Sequence, residues 1–210
     1  MAVPALGAHV SRTASAVSGD TYLVTLTGTQ QTVAARSGTV RDESGCRFAL
    51  KHADRQVLTF SASRAAHLVL RPGGTLPRLS FAARVAAAGT RHRESDLAGG
   101  DTDVCDAPGP PQTHRCSKRV LSAHLALRPV AQNRITLDGS LASSARRLAC
   151  ATTLTKPDRF PLPFESRLAL PANAADGLVA NGRLHARTKG DDGVAKTTDV
   201  RWTLVLKRVP

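Results

Sequence analysis

Apolar and polar residues alternate with a period of two from end to end of this 210-residue chain, and no sustained helical periodicity accompanies them. The clearest case is Thr198 to Leu206, TDVRWTLVL. Val200, Trp202, Leu204 and Leu206 fall on one face, and Asp199, Arg201 and Thr203 on the other. A helix would scatter those apolar side chains around its axis, whereas a strand with one dry and one wet face requires this order. Just upstream, RLHARTKGDDGVAKTT sets alternating flanks around Gly190 to Gly193. Glycine supplies the positive φ of a tight hairpin loop, so the C-terminus is predicted to be a β-hairpin.

The same pattern predicts strands at Tyr22 to Thr32, Val57 to Ala62, His67 to Arg71, Leu79 to Ala87, Val120 to Arg128 and Arg134 to Leu141, with weaker ones at Cys46 to Leu50 and Ser166 to Leu170. AHLVLRP (Ala66 to Pro72) and AHLALRP (Ala123 to Pro129) echo each other and read as equivalent strand ends stopped by proline, with His67 and His124 facing solvent. Leu97 to Gln112 and Thr155 to Glu165 each contain three prolines and read as long surface excursions. Only Leu141 to Ala149 has helical character, too short to change the class. The expected fold is all-β: a single antiparallel β-sandwich or β-barrel domain of about eight to ten strands over residues 19–210. Residues 1–18 read as a signal-like or disordered N-terminal segment, because ALGA and ASA have the small-residue spacing of a signal-peptidase site.

Hydrophobic residues make up 41% of the chain but aromatic ones only 3%, so alanine, valine and leucine must fill the core and cross-links gain importance. Four cysteines occur, Cys46, Cys105, Cys116 and Cys150, none in a Cys-x-x-Cys pair. An even number without zinc-ribbon spacing predicts two disulfides and an oxidising compartment. Proximity within the Gly- and Pro-rich loop favours Cys105 bonded to Cys116, leaving Cys46 for Cys150. Such bridges would remove about 3 and about 4.7 kcal/mol of unfolded-chain freedom respectively.

The stretch DTDVCDAPGPPQTHRC, Asp101 to Cys116, is dense in ligand-type side chains, but it fits a staple better than a metal site. His114 and Cys116 are too close for a zinc knuckle. A calcium loop starting at Asp101 would have Cys105 at its fifth position and Asp106 where the sharp turn needs glycine. No metal and no cofactor is predicted. Nor does any catalytic residue emerge, since the chain has no Gly-x-Ser-x-Gly elbow, no His-Glu-x-x-His and no phosphate-binding or dinucleotide glycine loop. The most suggestive cluster is Lys51-His52-Ala53-Asp54-Arg55, where His52 and Asp54 could orient each other; without a nucleophile or oxyanion donor it reads as a solvated turn.

The formal net charge is +13, from 29 basic residues of which 23 are arginine. An Arg-rich, Ala-rich, Lys-poor composition is also what GC-rich codon usage produces on an ordinary surface. The charge nevertheless attracts polyanions, and arginine pairs well with phosphate and carboxylate. Anionic lipid or wall polymer is therefore the expected partner class. Nucleic acid is disfavoured, because the arginines are spread along the chain and aromatic platforms are few. No apolar run approaches the roughly 18 residues of a transmembrane segment.

The opening TYLVTLTGTQQT, the cysteines in a Pro-rich mid-chain loop and the closing DVRWTLVLKRV together resemble small exported proteins of high-GC actinobacteria. The resemblance implies export and an all-β fold and carries no activity. The functional expectation is a non-catalytic exported β domain acting at the cell envelope as a binding or structural module. The alternative is a hydrolase or other enzyme whose site is assembled from distant loops and leaves no local motif.

Overall fold

The structure is a computed structural model that describes residues 20–70, 75–99, 105–131, 134–141, 160–161, 163–167, 177–190 and 193–210. All of its regular structure is strand: β1 (Asp20–Arg41), β2 (Arg47–Leu68), β3 (Leu79–Gly99), β4 (Gln112–Ala131), β5 (Arg134–Leu141), β6 (Glu165–Arg167), β7 (Gly177–Lys189) and β8 (Ala195–Arg208). They form one antiparallel sheet in the order β6-β5-β4-β3-β2-β1-β8-β7. Every neighbour is a neighbour in sequence except that β8 returns to β1, and β6 touches β7. The sheet is thus an up-and-down meander curled into a nearly closed barrel. The helical expectation for Leu141 to Ala149 has Leu141 in β5, and its remainder lies outside the described residues, as does the signal-like segment 1–18.

Alternation places the apolar side chains inside. Tyr22, Val24 and Leu26 of β1, Leu58 and Phe60 of β2, Phe81 and Val85 of β3, Leu125 and Leu127 of β4, and Val200, Trp202, Leu204 and Leu206 of β8 are all buried. Between them Thr25, Ser61, Ser63, Arg84 and Arg201 point outward. His67 and His124 are exposed, as predicted. One interior layer alternates large and small residues across β2, β1, β8 and β7. Phe60 pairs with Gly28, Gly28 with Trp202, and Trp202 with Gly182, so each ring lies over a glycine on the adjoining strand. A small barrel has room for large rings only if their neighbours give way.

Two features depart from the sequence reading. The first is strand length. Cys46 to Leu50, Val57 to Ala62 and His67 to Arg71 read as three strands, yet residues 47–68 form one strand of 22 residues, and Lys51 to Arg55 is strand rather than turn. No glycine or proline interrupts Arg47 to Leu70, so polar residues on both faces, His52, Asp54 and Gln56 on the inner one included, produce the apparent gaps rather than breakers. Likewise β4 continues through Pro129, which pairs with Ile135 beside a register shift, the kind of irregularity at which a strand tolerates proline. The second is the segment before β6. TKPDRFPLPFE reads as a surface excursion, but Phe160 and Pro161 are buried. Phe160 meets Phe60 edge to face at 5.6 Å, and Phe164 packs 6.5 Å from Trp202. Part of this connection is a plug in the barrel.

The predicted cysteine pairing is corrected. Cys46 is bonded to Cys105, across 59 residues of sequence, which excludes both Cys105–Cys116 and Cys46–Cys150. Cys116 lies within β4, opposite Gly89, while Cys105 lies in the β3–β4 loop. Strand pairing carries Cys116 about 13 Å up the sheet from the start of β4, out of reach of its sequence neighbour. Cys116 is itself disulfide-bonded, and Cys150 lies outside the described residues. Neither Cys105 nor Cys116 therefore offers a thiolate to a metal.

Candidate functional site

The long strands outrun the barrel. β8 pairs with β1 only as far as Ala35, and β4 begins at Gln112, opposite Arg93. Past these points β1, β2 and β3 continue as a three-stranded arm. Its tip is a tight turn in which the Cys46 amide donates to Asp42 Oδ1 at 2.9 Å and Gly45 takes a φ of 85°. The Cys46–Cys105 bridge clamps the β3–β4 loop against this turn.

Register lines up a set of polar residues on the continuation of the barrel's inner face, at the mouth where the arm begins. Asp54 of β2 faces Arg91 of β3, which faces His114 of β4; one step further out His52 faces Arg93, which faces Gln112. Asp54 is 1% exposed and accepts from His52, whose Nε2 is 3.1 Å from its Oδ1. Arg91 Nε stands 3.6 Å from the same oxygen, close enough for charge attraction and too long for a hydrogen bond. The pairing of His52 with Asp54 considered from sequence does form, inside a strand. What sequence could not place beside it are Arg91, Arg93, Gln112 and His114, far downstream in the chain.

One step deeper on the same face, Gln56 is buried with neither its amide oxygen nor its amide nitrogen hydrogen-bonded, and Arg91 Nε is likewise buried without a hydrogen bond. Unmet buried polar atoms are uncommon in native folds and point to a ligand or water. Two recesses open here. One of about 370 Å³ is lined by Arg91, Arg93, Gln112, Thr113 and His114. The other, of about 450 Å³, shares Arg93 and Gln112 and adds Leu50, His52 and the Gly109-Pro110 stretch of the clamped loop.

Charge is sorted between the two faces of the arm. On the outer face Lys51 bonds Glu94 at 3.3 Å and Asp96 at 3.2 Å, and these two carboxylates raise its pKa. The inner face keeps Arg36, Arg91 and Arg93 with a single acid, Asp54.

A third recess, of about 350 Å³, lies on the outer face of β3 to β5, lined by Ser80, His124, Arg128, Asp138 and Ser140 among others. It gathers serine, histidine and aspartate, the constellation a hydrolase would need. However, Asp138 pairs with Arg128 at 3.4 Å and accepts from the Gly139 amide at 2.7 Å, and no hydrogen bond joins His124 to Ser140 or Asp138. That set is not arranged as a nucleophile and its base.

Set against known proteins, the chain matches no family model and no curated protein sequence.

Proposed function

We propose that this protein is an exported, non-catalytic binding module of the cell envelope that holds anionic ligands with arginines at the mouth of its barrel. The observation that carries the reading is the sorting of charge on the arm. The carboxylates Glu94 and Asp96 are taken up by Lys51 on one face, while the side chain of Arg93 on the other makes no ion pair or hydrogen bond among the described residues. An arginine without a partner, beside a recess, is a guanidinium with its donors unspent.

Three further features support it. The barrel is filled by side chains such as Val24, Leu26, Val85, Val200 and Leu204, all at 0% exposure, so a ligand belongs at its mouth rather than at its centre. Its outward positions include many threonines, serines and arginines beside a few exposed apolar residues such as Leu23, Val120 and Val179, a mixed face unlike the continuous apolar band of a lipid-facing barrel, and no helix among the described residues is long and apolar enough to cross a membrane. Disulfides at Cys46–Cys105 and Cys116 fit an oxidising, extracytoplasmic compartment. For the alternative, a hydrolase, the recess of Ser140, His124 and Asp138 offers the right residue types among the described residues, but no hydrogen bond joins His124 to either of the others there.

The test is titration of the oxidised protein with phosphate-containing wall polymer, anionic vesicles and neutral vesicles across a range of salt. Binding to the anionic arms that weakens steeply as salt rises is expected. No binding to any anion at low salt would remove the reading.

A further inference from the structure

We infer that the recess formed by Arg91, Arg93, Gln112 and His114 is a site for a phosphate group, presented as a phosphomonoester or phosphodiester on a larger molecule. The inference rests on the anion-binding reading and adds to it a place and a ligand chemistry.

The four side chains form a compact set on adjoining strands. Arg91 stands directly opposite His114 and Arg93 directly opposite Gln112. Directly opposed residues of an antiparallel pair stand about 5 Å apart at Cβ, and i, i+2 neighbours on one strand about 7 Å apart, so all four reach a common point above the sheet. Of the four, the side chains of Arg93, Gln112 and His114 make no hydrogen bond or ion pair among the described residues. Arg91 is held on its Nε side by Asp54, which leaves its two terminal nitrogens for a ligand.

The donor count selects the anion. A carboxylate has two oxygens, which one guanidinium fork already satisfies. Two forks, an amide NH₂ and an imidazole N–H offer more donors than that, and they suit the three or more oxygens of a phosphate. The recess of about 370 Å³ is at the small end of ligand pockets, room for one phosphate and the unit that carries it. Asp54 is the counterweight. Buried and engaged with His52 and Arg91, it fixes the guanidinium in place without leaving an open carboxylate to repel the ligand.

The experiment uses the full, oxidised chain and four probes: inorganic phosphate, acetate at matched ionic strength, a soluble poly(glycerol phosphate), and phosphatidylglycerol vesicles. Binding is measured for wild type, Arg93→Gln and Arg201→Gln, the last changing an exposed arginine on β8 far from the recess. Thermal unfolding confirms that both variants remain folded. The site predicts that phosphate binds and acetate does not, and that Arg93→Gln weakens phosphate about tenfold, the loss of one charge-assisted contact, while Arg201→Gln leaves it unchanged. The same ordering for poly(glycerol phosphate) identifies a soluble phosphodiester as the source; for vesicles alone, a lipid headgroup. If anions bind but the two variants weaken them equally, the site is wrong and the broader anion-binding reading stands on scattered charge. If no probe binds, both fall.

Discussion

The indole of Trp202 occupies the space that a side chain at residue 182 would need: a Cβ on Gly182 would lie 2.2 Å from Cε2 and 2.3 Å from Nε1 of the ring. The ring cannot retreat. It is 2% exposed, and Phe164 packs against it. Gly182→Ala is therefore expected to destabilise the fold by about 1–3 kcal/mol, the range for overpacking a filled core. Gly38→Ala meets nothing within 4 Å and is the control, expected within about 0.5 kcal/mol of wild type. Because the chain has one tryptophan, its fluorescence during denaturant unfolding reads both variants directly. Equal midpoints for the two would mean that the ring does not lie over residue 182.

The Cys46–Cys105 bridge makes a covalent prediction. Proteolysis of oxidised protein and mass mapping should recover a peptide pair joining Cys46 to Cys105; a peptide joining Cys105 to Cys116 would contradict the fold at the arm. Closing a loop of 59 residues corresponds to about 4 kcal/mol on the chain-entropy model. A double Cys46→Ser, Cys105→Ser variant should lose a large part of that. The loss should appear as increased proteolysis of the arm before the barrel, since among the described residues β1 to β3 have no further strand beside them there.

What the sequence makes legible follows from the range of each signal. The face of each strand is local, and Val200 to Leu206 with its hairpin at Gly193 could be assigned from neighbours alone. Strand length is less local. Ser61, Ser63 and Lys51 are outward residues of a continuous strand, yet in sequence a run of polar residues resembles a turn unless the absence of glycine and proline is weighed. Partners across the sheet are not local at all. Cys105 sits eleven residues from Cys116 and is bonded to Cys46, because sheet register, not sequence distance, decides which thiols meet. For the same reason His52 and Asp54 are visible as a pair in sequence, whereas Arg91 and Arg93, which complete the mouth, read there only as two of the arginines spread along the chain.

Two aspartate–histidine pairs in this protein differ in burial, and that difference orders their worth. Asp199 and His185 are 2.7 Å apart on the surface, at 31% and 47% side-chain exposure. Asp54 and His52 are 3.1 Å apart with the carboxylate at 1%. Asp199→Asn should change stability by no more than about 1 kcal/mol, as exposed pairs do. Asp54→Asn should cost about 1–3 kcal/mol, because it removes the counter-charge from Arg91 and leaves polar groups buried without it. Comparable losses at the two sites, measured by urea unfolding at neutral pH, would show that Asp54 is not the anchor of the mouth.

Lys51 carries the pH prediction. Hydrogen bonds to Asp96 and Glu94, and their charges, raise its pKa in the folded state above lysine's ordinary value. A raised pKa means that the folded state holds the proton more tightly. The stabilisation is therefore complete below the unfolded value of about 10.4 and disappears as pH climbs through the folded one. Lys51→Met, which keeps an apolar stem and drops the charge, should be less stable than wild type at neutral pH by a small amount, since the group is exposed. The gap should stay constant through pH 9 and close at higher pH. It should also close at neutral pH in about 1 M salt, where the screening length falls to about 3 Å. A gap that survives both alkaline pH and high salt would belong to the packing of the stem against the sheet rather than to the charge.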